Sequence, residues 1–279
     1  MTFTNHSAKV YIPETAKKSA GKTYLALAAH QDDIEIMAAD GILKGFYGAD
    51  CSFVAVVTAD GAGSARDGRY KEYSDAEMAN VRKTEQIKAA FVGEYEALYL
   101  LNYQSSAIKS ANNISIAEDY AKILKKHKPQ TVYTHNLLDK HATHLGVAVK
   151  AVKAIRSLPK KDRPLYFFGC EVWRNLDWLP DTEKVRFDLS AGENMQAALL
   201  GVFDSQISGG KRYDLATQGR RLANATYSES HSVDEVKSMS YALDLSPLIK
   251  DDTADIADFA MSKIEAFKKE AEEALKKAL

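Results

Sequence analysis

The chain has 279 residues, 46% hydrophobic and 27% charged, which is enough length and apolar content for one large α/β domain or two small ones. Its 37 basic and 38 acidic residues leave a formal charge of −1, so no electrostatic argument points to nucleic acid or an anionic membrane. With only Cys51 and Cys170, a disulfide framework and a cysteine-rich zinc site are both excluded, and a reducing, cytoplasmic setting is expected.

Residues 1–22 are polar, contain no apolar core of signal-peptide length, and read as a lead-in; no later run is long and apolar enough to span a bilayer. "TYLALAA" (23–29) reads as a buried strand. Residues 33–46 carry Ile34, Met37, Ile42, Leu43 and Phe46 near helical spacing. "CSFVAVVT" (51–58) is a second strand and opens into the loop "ADGAGSARDG". Ser74, three residues before Glu77, forms a capping-box pattern that starts a helix running to about 91. "EALYLL" (96–101), "TVYTH" (131–135) and "PLYFFGCEVW" (164–173) read as strands, and 115–129 and 144–158 as helices. This alternation implies a Rossmann-like, mostly parallel sheet with helices on both faces and a small C-terminal part completing the pocket. The organisation expected is one domain over 23–252, then an amphipathic helix over 253–279. That helix places Ile256, Phe259, Ile264, Phe267, Ala271 and Leu275 near one face, to pack on the body or on a neighbouring subunit of a homo-oligomer.

In such sheets ligands sit beyond the carboxyl ends of the strands. His30 follows the first strand and His135 ends the fourth, so both belong to one rim, where His135 is in a position to touch substrate. Two stretches there carry chemistry, "HQDD" (30–33) and "DKHATH" (139–144). Taken separately each is weak, but the sheet brings them together across about 110 residues of sequence. Two histidines and one carboxylate make the open, three-ligand zinc site used in catalysis, with the remaining place held by water. The adjacent carboxylates repel each other, and a cation would compensate them. Asp33 can bind it while Asp32, whose side chain must diverge, faces the water as general base.

These motifs resemble those of the PIG-L/LmbE-like zinc-dependent de-N-acetylases. That family pairs "HPDDE" or "HxDDxE" after a strand with a later "DxHxDH" on a Rossmann-like fold. The chain reads His30-Gln31-Asp32-Asp33-Ile34-Glu35 and Asp139-Lys140-His141-Ala142-Thr143-His144, with "TADGAGS" and Arg82-Lys83-Thr84-Glu85 matching a third element. The resemblance covers roughly residues 23–170. It implies that His30, Asp33 and His144 ligate Zn2+, although such a site also accepts other divalent metals. It further implies Asp32 as general base, His141 as general acid or oxyanion stabiliser, and Arg82 as a holder of substrate groups, oriented by Glu85. The implied substrate is a small N-acetylglucosamine-type sugar or glycoconjugate, cleaved to acetate and a free amine.

The chain departs from the pattern at three positions. Gln31 replaces a proline, Lys140 an arginine, and Thr143 the aspartate that pairs with the acid/oxyanion histidine. Without that carboxylate His141 is expected to be less basic. Asp139 is the candidate for the missing role and, like His135, for substrate contact. Two rival readings are a nucleotide-binding Rossmann-type domain and a metal-binding relative without deacetylase activity. The first lacks a G-x-G-x-x-G turn after the first strand. Residues 208–230, with Arg212, Arg220 and Arg221, read equally as a substrate loop or as a solvated loop and helix, and Trp173 and Trp178 as core aromatics.

Overall fold

The computed structural model describes residues 1–279. Its strands are β1 (Lys9–Tyr11), β2 (Lys22–Ala28), β3 (Cys51–Ala59), β4 (Ala97–Tyr103), β5 (Thr131–His135), β6 (Tyr166–Cys170), β7 (Lys184–Asp188) and β8 (Met239–Asp244). They form one sheet in the order β1-β4-β3-β2-β5-β6-β8-β7. The five inner strands from β4 to β6 are parallel, whereas β1, β8 and β7 pair antiparallel at the edges. Continuous apolar runs suit strands covered on both faces. In β2, Leu25 and Leu27 enter one apolar core while Tyr24, Ala26 and Ala28 enter the other. That alternation is the two-residue period of a strand.

The second of these cores is closed by α1 (Asp33–Met37), α2 (Ala39–Tyr47), α3 (Asp75–Val92) and later α7 (Glu193–Gly201). The first is closed by α4 (Ser105–Lys109), α5 (Ser115–His127) and α6 (Ala142–Arg156). The capping box at Ser74 is present: its hydroxyl accepts from Glu77 N–H, and Glu77 accepts from Ser74 N–H. After β7 come α7, α8 (Asp204–Ile207) and α9 (Tyr213–Tyr227); α10 (Ser246–Lys250) and α11 (Ile256–Ala278) end the chain. No helix is long and apolar enough to cross a membrane.

The inner strands and their helices stand where the sequence pattern placed them, within one to three residues. Three features do not. Residues 33–46 are two helices rather than one, broken at Ala38. Part of the polar lead-in is structural, since β1 pairs with β4 and Phe3 is buried against Tyr99. β1 sits at a sheet edge with its side chains largely in solvent, so its sequence carries no apolar signal. β7 and β8 carry little sequence signal for a related reason: "KVRFD" is a half-exposed outer strand, and β8 follows a long polar stretch.

The chain leaves β2 toward β3 on one side, and β5 lies on the other. A crevice opens beyond the carboxyl ends of two strands at such a reversal. His30 lies two residues past β2, and His135 is the last residue of β5.

Candidate metal centre

Three ligand-type atoms converge in that crevice. His30 Nδ1 lies 3.2 Å from Asp33 Oδ2, His144 Nε2 lies 3.3 Å from the same oxygen, and the two ring nitrogens are 3.2 Å apart. Atoms bonded to a tetrahedral cation at about 2.0–2.1 Å stand roughly 3.3–3.4 Å from one another. The triangle therefore fits a zinc-sized ion with one coordination place left over. The local fold produces it: Asp33 opens α1, its carboxylate accepts the His30 N–H at 2.7 Å, and His144 stands in the first turn of α6. Asp33 and His144 are buried, while His30 is part-exposed toward the cavity.

The electrostatics match a site that wants a cation. Burial alone would raise Asp33, but the charges of His144 and His135 and the bonds from His144 and His30 hold it well below the usual carboxylate range. Burial alone would lower His144, yet Asp33 and Asp139 outweigh it and lift the imidazole to about 9.

Asp32 faces the same cavity from a backbone conformation with φ 88°, a region unusual for any residue but glycine. Its N–H donates to Gln86 Oε1 at 3.2 Å, and Arg82 Nη2 donates to its Oδ2 at 2.7 Å. Burial, with the neighbouring Asp33 charge, pushes Asp32 up to about 6 against the pull of Arg82. Arg82 is itself only 1% exposed; it also bonds Glu85 Oε2 (3.0 Å), Ser205 Oγ (3.4 Å) and the Gln31 carbonyl. Arg82, expected to hold substrate groups, does line the cavity, where its guanidinium lies between the carboxylates of Asp32 and Glu85. Gly61, at φ 80°, lets the "TADGAGS" loop pass over this cluster; a Cβ there would come within 2.9 Å of Arg82 Cβ.

His141 also lines the cavity, its ring 4.9 Å from that of His30. Thr143 Oγ1 lies 2.5 Å from His141 Nδ1 and 3.2 Å from His30 Nε2, so one hydroxyl bridges both rings. Burial and the charges of His144 and His30 lower His141 to about 4. Asp139 does not take the partner role. Its Oδ1 accepts from the His141 backbone N–H (3.1 Å), and its Oδ2 accepts from Trp173 N–H (3.2 Å) and lies 3.4 Å from His144 Nδ1. A buried carboxylate in that position orients an imidazole, and Asp139 is not among the residues that line the cavity. His135 also stands apart from the cavity. Fully buried, it stacks on His144 at 3.8 Å, and its Nε2 accepts the Ala29 N–H at 2.9 Å, so that lone pair is already used.

One wall of the cavity, about 630 Å³ in volume, comes from beyond residue 170, where the sequence motifs had thinned out. Trp173, read as core, lies over His141 with ring centroids 6.3 Å apart and meets Tyr213 edge-on. Residues 208–230 supply Lys211, Tyr213 and Arg220 from the start and outer face of α9. The signal available was the position of Trp173 just past a rim strand. Trp178 stays away, against Phe267.

The family model described as GlcNAc-PI de-N-acetylase, PIG-L, matches residues 25–155. No curated protein matches the chain in sequence. Several solved structures share its fold. N,N'-diacetylchitobiose deacetylase from Pyrococcus horikoshii aligns with a TM-score of 0.65 at 16% identity, covering 86% of this chain and 89% of that one. GalB, the 4-carboxy-2-hydroxymuconate hydratase of Pseudomonas putida KT2440, aligns with a TM-score of 0.63 at 16% identity over 81% of this chain and 96% of its own. The A40926 pseudoaglycone deacetylase Dbv21 gives 0.57 at 14% identity, over 79% and 96%.

Proposed function

We propose, from the match of residues 25–155 to the PIG-L family model, that the chain is a metal-dependent amide hydrolase that removes the acetyl group from an N-acetylglucosamine-type sugar or glycoconjugate. The observation that carries this reading is the convergence of His30 Nδ1, Asp33 Oδ2 and His144 Nε2 beside a cavity-lining carboxylate, Asp32. Two imidazoles and one carboxylate suit Zn2+. When bound, such an ion polarises the amide carbonyl and acidifies water.

The chain's own residues supply the rest. Asp32, held by Arg82, takes a proton from the attacking water as the C–O bond forms, and that proton leaves with the amine as the C–N bond breaks. His141 supports the carbonyl oxygen as it gains charge. Its proton can be located by inventory. A His30 that offers Nδ1 to a cation carries its hydrogen on Nε2, which points it at Thr143 Oγ1. The single threonine hydrogen then goes to His141 Nδ1, leaving His141 with N–H at Nε2, free to donate. A neutral donor fits the lowered basicity of this ring. His141 acts here as an oxyanion donor rather than as an acid that gives up its proton.

Metal analysis of the purified protein, with acetate release measured across N-acetylglucosamine derivatives, tests the proposal. Asp32→Asn should retain the metal and lose about 10²–10⁴-fold in turnover, the range of a general base. His144→Ala should lose the metal. Near-normal turnover in Asp32→Asn, or wild-type protein that takes up no divalent cation, would overturn it. Acetate among the products also distinguishes the reaction from a hydration.

A further inference from the structure

The charges lining the cavity do not balance. Its three carboxylates are all engaged: Asp32 by Arg82, Asp33 by the histidines, and Glu171 by the N–H groups of Leu176 and Tyr241 and by Asn224 Nδ2. The basic side chains on the opposite wall are not. Lys211 Nζ makes no ion pair and hangs 5.3 Å over the Trp173 ring. Arg220 donates one N–H to the Val172 carbonyl at 2.5 Å, and its remaining donors have no partner. Beneath it lies Arg221, 3% exposed, bonded to Gln196 Oε1 and to the carbonyls of Glu35 and Ile36 but to no carboxylate, with its Nε unsatisfied. The charge of Glu171 acts on both Arg220 and Arg221, but it forms no ion pair with either, and its oxygens are already taken by three N–H donors, so neither guanidinium has an anion in direct contact. An incoming negative group would relieve both.

We propose that the substrate carries an anionic group, a carboxylate or a phosphate, and that Lys211 and Arg220 bind it beside Trp173. Trp173 connects this subsite to the reaction centre, because one side of its ring lies over His141 and Lys211 sits over its face. A sugar ring spanning that distance presents its acetamido group to His141 and Asp32 and its acidic substituent to α9. Arg220 supplies planar, directional donors and Lys211 a mobile point charge, a pair that tolerates either oxyanion geometry. Arg221 acts from below as a fixed positive charge. The residues come from outside the family-matched segment, so this selectivity is a property of this chain's C-terminal part.

The inference rests on the proposed deacetylation, and two independent readouts keep their failures apart. The first is kcat/KM for acetate release by the metal-loaded enzyme on methyl N-acetylglucosaminide, N-acetylglucosamine 1-phosphate and N-acetylmuramic acid. An acidic sugar should exceed the neutral one about tenfold or more, and raising the salt should shrink the ratio. Whichever of the two leads identifies phosphate or carboxylate. Lys211→Met and Arg220→Gln, alone and together, should lower that ratio toward one while metal content is retained. The second readout is calorimetric titration of N-acetylglucosamine 1-phosphate and N-acetylmuramic acid, which needs no turnover. Binding that is lost in Lys211→Met would support the subsite even if no acetate appeared. A neutral sugar turned over as well as both acidic ones, or acidic-sugar binding unchanged in the Lys211→Met and Arg220→Gln proteins, would overturn it.

Discussion

Thr143 shows how one side chain resets the chemistry of its neighbours. A carboxylate at this position would hold His141 as an imidazolium by charge, whereas the hydroxyl passes a hydrogen-bond direction from His30 to His141 and adds no charge. Thr143→Val removes the relay while keeping the shape. We expect metal content and thermal stability near wild type, with kcat lower by about 10–100-fold, less than the roughly 10²–10³-fold cost of removing an oxyanion donor outright. Metal analysis beside steady-state kinetics checks this, and an unchanged kcat would remove the relay from the mechanism. The residue types in "HQDD" and "DKHATH" were enough to mark this as a candidate centre, because a metal site, a base and a donor each call for particular functional groups. Their partners were not legible. Arg82 holds Asp32 and Asp139 backs His144 only because α3 and the β5–α6 loop come to lie there.

At the scale of elements, α1 is a five-residue helix that must hold Asp32 and Asp33 still, and it does so through Glu35. Glu35 Oε1 accepts from Gln86 Nε2 of α3 (2.8 Å) and from Tyr95 OH (2.7 Å), which ties α1 to the end of the α3 segment. Burial raises this carboxyl to about 8 from an ordinary 4.5, so the native state keeps a proton that the unfolded chain releases. The contribution is therefore fully present below about 4.5 and is lost as pH rises through about 8, with a slope of at most about 1.4 kcal/mol per pH unit. Glu35→Gln, which cannot ionise, should flatten the stability profile over that window, and its advantage over wild type should grow with pH. Urea unfolding of chelator-treated protein from pH 5 to 8 measures this; parallel profiles would show Glu35 to be ionised in the native state. The helix break at Ala38 belongs to the same scale. A continuous apolar pattern over 33–46 does not reveal that α1 must end early to aim its first turn at the rim.

For the whole molecule, the contrast lies between a sheet buried on both faces and a tail that barely touches it. Ala260 is the only buried residue of α11, and every side chain from Phe267 onward is exposed. Lys263 anchors its first half through Glu183 at 2.5 Å. Deleting residues 268–279 should cost less than about 1 kcal/mol, since exposed helix surface contributes little. The urea midpoint of the truncated chain reads this directly, and a loss above about 2 kcal/mol would mean that a second surface covers the tail in solution.

The order of buried strands, the helices between them and the two ligand-bearing motifs were written in local sequence. Strand cores need continuous apolar runs, and metal chemistry needs imidazole and carboxylate at fixed spacings. The tertiary structure alone decided which atoms share a point in space. It brought His30 to His144 across the β2–β5 reversal, withdrew His135 behind a backbone N–H, and turned Trp173, Lys211 and Arg220 into a cavity wall. Those outcomes depend on contacts between residues far apart in the chain, and no local pattern encodes distance across a sheet.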